Sequence, residues 1–135
     1  MMNIEEIYKS IASQQGWQAK YRQIMLLGKQ LPNFPEPLKT EEARVSGCES
    51  KVWLHLAWDE STGCLVVIGD SDTRIVKGLL AIILAFYNGK RSDEIHTSDV
   101  ITVFKELDLI QHLSPSRGNG IHAIQKAIVH FSQDS

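Results

Sequence analysis

The order of hydrophobic periodicities along this 135-residue chain predicts an α+β fold: a small antiparallel β-sheet of about three strands with helices packed on one of its faces. Three observations carry that expectation. Apolar residues recur at steps of three and four before residue 32 and again after residue 73, as amphipathic helices require. Between 52 and 68 the step shortens towards two, and the polar turn Asp59-Glu60-Ser61-Thr62-Gly63 joins the two apolar stretches there as a hairpin. No linker divides the chain, so residues 1–135 are expected to form a single domain.

Ile4, Ile7, Tyr8 and Ile11 predict a short helix that closes near Gly16. Trp17, Tyr21, Ile24, Leu27 and Leu31 predict a longer one that Pro32 stops, because proline has no amide hydrogen to give. Three prolines make 33–38 irregular, and 39–45 suits either a helical turn or a short edge strand. The run 51–59 alternates Val52, Leu54, Leu56 and Trp58 against Trp53, His55 and Ala57, so its first set should face the core. Residues 64–68 return as the second strand, and Cys64 is expected inside it as an inert core residue. Gly69-Asp70-Ser71-Asp72 then reads as a turn into a helix over 73–88, with Asp70, Ser71 or Asp72 as its cap. Two shorter helical pieces, 92–96 and 99–107, precede a last helix from about 116 that carries Ile121, Ile124, Ile128 and Phe131 on one stripe.

Composition narrows the function. With 14 basic and 16 acidic residues the formal charge is −2, so no basic footprint for nucleic acid is present. The longest apolar run, 79–86, is far shorter than the roughly 20 residues a membrane-spanning helix needs, and no membrane association is expected. Glu5 and Glu6 stand where a signal peptide would be basic and then apolar, which points to the cytoplasm. In that reducing compartment Cys48 and Cys64 should be free thiols. The five histidines are scattered without cysteines at zinc-site spacing, so no metal is expected.

The stretch that organises the rest is Arg44-Val45-Ser46-Gly47-Cys48-Glu49-Ser50-Lys51-Val52-Trp53-Leu54. Gly47 permits a positive φ, and Glu49, Ser50 and Lys51 favour a loop whose tip presents the Cys48 sulfur just before a strand. The alternative is a buried cysteine acting as a small core hydrophobe.

Gly47-Cys48-Glu49-Ser50-Lys51-Val52-Trp53-Leu54 resembles the signature loop of the SufE/CsdE family of sulfur-acceptor proteins. Three further segments match in the same order: Leu27 to Pro32; Gly69-Asp70-Ser71 with Arg74 to Leu80; and Leu113-Ser114-Pro115-Ser116-Arg117 with Gly120. Arg74 after the Asp-Ser pair is closer to the CsdE branch than to the SufE branch. The resemblance implies a SufE/IscU-like fold and a role for Cys48 as acceptor of a persulfide sulfur from a cysteine desulfurase. It implies stimulation of that desulfurase and delivery of the sulfur towards iron-sulfur cluster or other sulfur assembly. Such a protein is a persulfide carrier and activator rather than a stand-alone enzyme. It needs no bound cofactor, because the pyridoxal phosphate belongs to the partner.

Arg117 matches the family's Ser-Arg motif and is expected to support the anionic sulfur, alongside Gly47, Ser50 and Asp70. Arg44, Glu49, Lys51 and Arg74 are weaker candidates for a docking surface. Two other classes remain in view. One is a regulatory binding module without chemistry at Cys48; the other is an iron-sulfur scaffold, against which a count of two cysteines argues.

Overall fold

The structure, a computed structural model, describes residues 2–133. Its elements run α1 (Ile4–Ala12), α2 (Trp17–Gly28), β1 (Val52–Trp58), β2 (Leu65–Ser71), α3 (Arg74–Tyr87), α4 (Ser92–Thr97), α5 (Ile101–Glu106) and α6 (Pro115–Gln133), with short 3-10 turns at Glu36–Leu38 and Ile110–His112. The two strands pair antiparallel, Val52 opposite Ser71 and Trp58 opposite Leu65.

Alternation decides which face of this hairpin is covered. Val52, Leu54, Leu65 and Val67 are buried against the helices, whereas His55, Ala57 and Val66 face solvent. Helix α3 is the centre of the core: Leu80, Ile82 and Ile83 are wholly out of water, in contact with an apolar cluster that includes Ile7, Ile11, Ile24, Val67, Phe104 and Ile128. A helix buried on nearly every side needs no polar face, which explains the unbroken run from Leu79 to Leu84.

Helices α2 and α3 approach through glycines. A methyl group at Gly78 would overlap the Ile24 carbonyl oxygen, and one at Gly28 would stand 2.8 Å from the Gly78 nitrogen. The backbones therefore touch directly, and neither position has room for a side chain.

Several boundaries differ from the sequence-based expectation for identifiable reasons. A third strand is present only as a single bridge, Arg44 to Trp53, because Ala43 turns its amide onto the Thr40 hydroxyl and the segment leaves the sheet. Gly16, at φ +82°, precedes α2 and does not close α1, which ends on Ser13. Helix α2 ends at Gly28, before Pro32 is reached.

The stretch 69–71 continues β2 instead of turning, and Thr73 takes the N-cap position with no side-chain cap bond. The three expected caps are otherwise engaged. Asp70 pairs with Lys39 at 3.1 Å and Lys77 at 3.4 Å, Ser71 Oγ accepts from the Thr73 amide, and Asp72 Oδ1 accepts from the Lys51 amide. Cys64 lies outside the core as well. Strand β2 begins one residue later with its inward face on Leu65 and Val67, which leaves Cys64 half-buried on the opposite side with its thiol donating to the Thr62 carbonyl.

The glycine contact yields the first prediction. Gly78→Ala should lower stability by about 3 kcal/mol or more, since backbone and not a flexible side chain blocks the methyl. Gly118→Ala, in α6 with open space around it, should be neutral or stabilising by up to about 1 kcal/mol. Thermal unfolding of the two variants checks this; equal midpoints would contradict the close packing of α2 on α3.

Candidate functional site: the Cys48 loop

The Val45 amide donates to the Val52 carbonyl at 2.9 Å and closes the base of a loop spanning residues 46–51. Gly47 makes its corner at φ +91°, a conformation that side chains rarely adopt, and a methyl group there would meet Ala123 on α6 at 3.3 Å. The far limb is held differently. Lys51 exchanges bonds with Asp72, its amide donating to Oδ1 at 3.1 Å and its carbonyl accepting from the Asp72 amide at 3.3 Å, while Thr73 Oγ1 donates to Ser50 Oγ at 2.9 Å. The loop is thus tied at its base and at the start of α3, and its corner lies against α6.

That geometry seats Cys48 under cover. Its side chain is half-buried, and its thiol donates to the Gly120 carbonyl of α6 at 3.8 Å. It lines a cavity of about 430 Å³ with Val52, Val76, Leu79, Ile121 and Ile124 on the apolar side and Ser50, Ser114, Ser116 and Arg117 on the polar side. Burial pushes the thiol pKa above its ordinary value, because a thiolate would lose water on entering this seat. A carbonyl partner also suits S–H and repels S⁻. At rest, therefore, the group is held as the unreactive thiol.

Arg117 comes to the cavity on the first turn of α6. Ser114 caps that turn, its Oγ accepting from the Arg117 amide at 3.3 Å and its carbonyl accepting from the Gly118 amide at 3.0 Å. Among the described residues no carboxylate forms an ion pair with the Arg117 guanidinium. Its cationic group and the positive end of α6 thus stand on one wall of the cavity that holds the sulfur. An anion formed there would be favoured by both.

The remaining candidates divide. Gly47 forms the corner, Ser50 holds the limb and lines the cavity, and Glu49 lines its mouth in an exposed position. Lys51 contributes its backbone to the tie with Asp72 while its side chain is exposed. Asp70 is not part of the cavity; it clamps Lys39 and Lys77 beside a separate small cleft. Its carboxyl lies below the usual range although burial works the other way, because Lys39, the Ser71 amide and Lys77 outweigh the loss of water. Arg44 lines a neighbouring groove and Arg74 is exposed at the start of α3.

Sequence reasoning gave no site role to Thr73, took Asp72 only as a candidate helix cap, and quoted Gly120 only as part of the family motif. In the structure Gly120 serves as the wall against which the thiol rests. Cys64 takes no part. It stands beyond the far end of the hairpin, whose strand β1 is about 20 Å long at roughly 3.3 Å of rise per residue. No three His, Cys, Asp or Glu side chains among the described residues are grouped to hold a metal ion. No helix among them is long and apolar enough to cross a membrane.

The family model described as "SufE: Fe-S metabolism associated domain" matches residues 5–131. The chain belongs to the SufE family. It is 40% identical over 130 residues to an uncharacterized SufE-like protein of Rhizobium meliloti (strain 1021), covering 95% of this chain and 93% of that one. It is also 40% identical over 125 residues to the sulfur acceptor protein CsdE of Escherichia coli (strain K12), covering 93% and 84% respectively. A hypothetical protein from Thermus thermophilus, solved in solution, shares the fold with a TM-score of 0.76 at 13% identity, over 97% of this chain and 93% of that one. The SufE-like α+β fold and the relation to sulfur acceptors are thereby established.

The seat of Cys48 makes its accessibility measurable. Iodoacetamide should alkylate Cys48 more slowly than an unstructured cysteine peptide at the same pH. The midpoint of its rate-against-pH curve should be displaced upwards, since burial favours the protonated form. Gly120→Val, whose extra carbons would intrude where Sγ rests, should speed alkylation by evicting the thiol. A midpoint at or below that of the peptide would contradict the sheltered seat.

Proposed function

We propose that the chain is a sulfur carrier that takes a sulfane sulfur from a cysteine desulfurase onto Cys48. The observation that carries this reading is the meeting of one half-buried cysteine, an arginine that no carboxylate among the described residues pairs with, and a helix N-terminus around a single cavity. A hydrolase would need a base beside its nucleophile, and no histidine lines this cavity. A cluster scaffold would need several thiolates at one place, whereas Cys48 and Cys64 lie at opposite ends of the hairpin. The kinship with CsdE supports the same reading.

The reaction is an exchange between sulfurs. The Cys48 thiolate attacks the terminal sulfur of the partner's cysteine persulfide. A new S–S bond forms on Cys48, the partner's S–S bond breaks, and the partner's cysteine departs as a thiolate that takes the proton Cys48 gave up. No electrons are gained or lost overall. The donor's terminal sulfur is electrophilic enough that Cys48 needs only to reach it in deprotonated form. Leaving the covered seat removes the burial that holds the proton on, so docking and activation become one event.

After transfer, the persulfide is a stronger acid than a thiol and carries negative charge near neutral pH. Arg117 and the amides at the start of α6 stabilise that anion. The cavity provides shelter for the extra sulfur, so a covered persulfide is kept from stray thiols until it is passed on. Clearing the donor's persulfide in this way also stimulates the desulfurase. The pyridoxal phosphate that makes the persulfide stays with the partner, and this chain contributes only its own side chains. A downstream acceptor in sulfur or iron-sulfur assembly then removes the sulfur by the same exchange.

Desulfurase turnover, followed as alanine formed from cysteine, tests the proposal. The parent chain should stimulate turnover and Cys48→Ala should abolish that stimulation, whereas Cys64→Ala should keep it. Because Cys64 lies outside the core, its replacement should cost less than about 1 kcal/mol. Arg117→Ala should slow sulfur transfer roughly tenfold, the scale of one lost charge-assisted contact, and Arg117→Lys should restore part of it. Stimulation retained by Cys48→Ala would replace the carrier by a regulatory module.

A further inference from the structure

The half-built third strand leaves an opening. Along β1, the residues opposite Leu65 and Val67 point their backbone groups away from β2. On the partner strand those two residues turn outward themselves: Val67 bonds the Asn88 side chain in both directions, and Leu65 bonds the backbone of Lys90 and Gly89. Leu56, opposite Val67, therefore presents its N–H and C=O on the outer edge of the sheet. The first half of that edge is covered by the chain itself, through Val45 to Val52 and Leu54 to Ala43. At Leu56, by contrast, nothing among the described residues meets the backbone N–H or C=O.

This uncovered edge faces a groove of about 730 Å³ between residues 42–47 and α6. Leu54, Leu56, Ala123 and Ala127 form its floor. Arg44 and Lys126 stand on its walls with His122, His130 and the carboxylate of Glu42, and Arg44 also pairs with the exposed Glu41 at 3.7 Å. Among the described residues no carboxylate pairs with Lys126, so an acidic segment finds a charge match there and, by exchange with the exposed Glu41, at Arg44. Gly47, whose other neighbour is Cys48, forms one end of the groove. Natural proteins rarely leave a sheet edge beside an apolar groove unused, since it invites strand pairing.

We propose that this groove docks an extended segment of the sulfur donor, one bearing carboxylate side chains, which adds a strand beside Leu56 and completes the third strand begun by residues 43–45. The proposal rests on the carrier reading for the partner's identity. Main-chain bonds at Leu56 give the segment its direction, and Arg44 and Lys126 select its charge. A segment lying there would press on Gly47 and Ser46, the limb of the Cys48 loop that lacks the ties binding Ser50 and Lys51 to α3. Docking and exposure of the thiol are thereby linked through one corner.

Hydrogen exchange of the Leu56 amide, measured by NMR on the intact chain alone and with a saturating cysteine desulfurase in the absence of cysteine, is the test. We expect protection to rise at least about tenfold on complex formation, as it does when an open edge amide acquires a strand partner. In parallel, Arg44→Glu with Lys126→Glu should raise the desulfurase concentration needed for half-maximal transfer about tenfold, with the rate at saturation retained. Unchanged exchange at Leu56 in the complex would overturn the groove proposal. If Cys48 nevertheless became persulfidated once cysteine was supplied, the carrier reading would stand without it. Leu56 protection with no sulfur on Cys48 would instead uphold the groove and remove the carrier.

Discussion

The site depends on how closely the corner at Gly47 and Cys48 lies on α6. Two small residues one turn apart on that helix, Gly120 and Ala123, receive it: the thiol rests 3.8 Å from the Gly120 carbonyl oxygen, and the α-carbon of Gly47 passes where any side chain would crowd Ala123. Everything else in the architecture serves this contact. Strand β1 fixes the base of the loop, α3 ties its far limb through Asp72 and Thr73, and the buried stripe Ile121, Ile124 and Ile128 holds α6 against the core at the required height. A bulkier residue on either side of the contact would lift the loop and open the cavity.

The proposed carrier role requires a sulfur that is both protected and surrendered, and the surroundings of Cys48 suit both. Burial and the Gly120 carbonyl hold the resting thiol protonated, whereas Arg117 and the start of α6 favour negative charge in the same cavity. The two influences act on different species. In the proposed carrier role the unloaded thiol would remain quiet, and a more acidic persulfide would be stabilised in the covered cavity. The limbs of the loop are also unequal: three hydrogen bonds hold the residues after Cys48 to the start of α3, while Ser46 and Gly47 rely on packing. Outward movement would therefore start at Gly47.

Much of this was legible in the sequence because it rests on local chemistry. Gly47 beside Cys48, the alternation through β1 and the apolar run of α3 each follow from residue type and spacing. What escaped depended on contacts distant in the chain. Asp70 suits a helix cap by type, yet Lys39 and Lys77 claim it across the fold, and Gly120 gains meaning only when the loop 72 residues earlier lies on it. Cys64 was misplaced because the run Cys64-Leu65-Val66-Val67-Ile68 is apolar throughout, so no alternation marks its inward face, which Leu65 and Val67 take. The third strand faded for a similar reason, since a single side-chain acceptor at Thr40 was enough to divert the backbone of Ala43.

In the proposed function Cys48, and no other residue, receives the sulfur. Mass spectrometry of the peptides from the intact chain, incubated with a cysteine desulfurase and cysteine and then alkylated, tests it most directly. The expected result is the added mass of one sulfur atom on the peptide that contains Cys48 and none on the peptide that contains Cys64. Added sulfur on Cys64 alone, or on neither peptide while the desulfurase turns over, would contradict it.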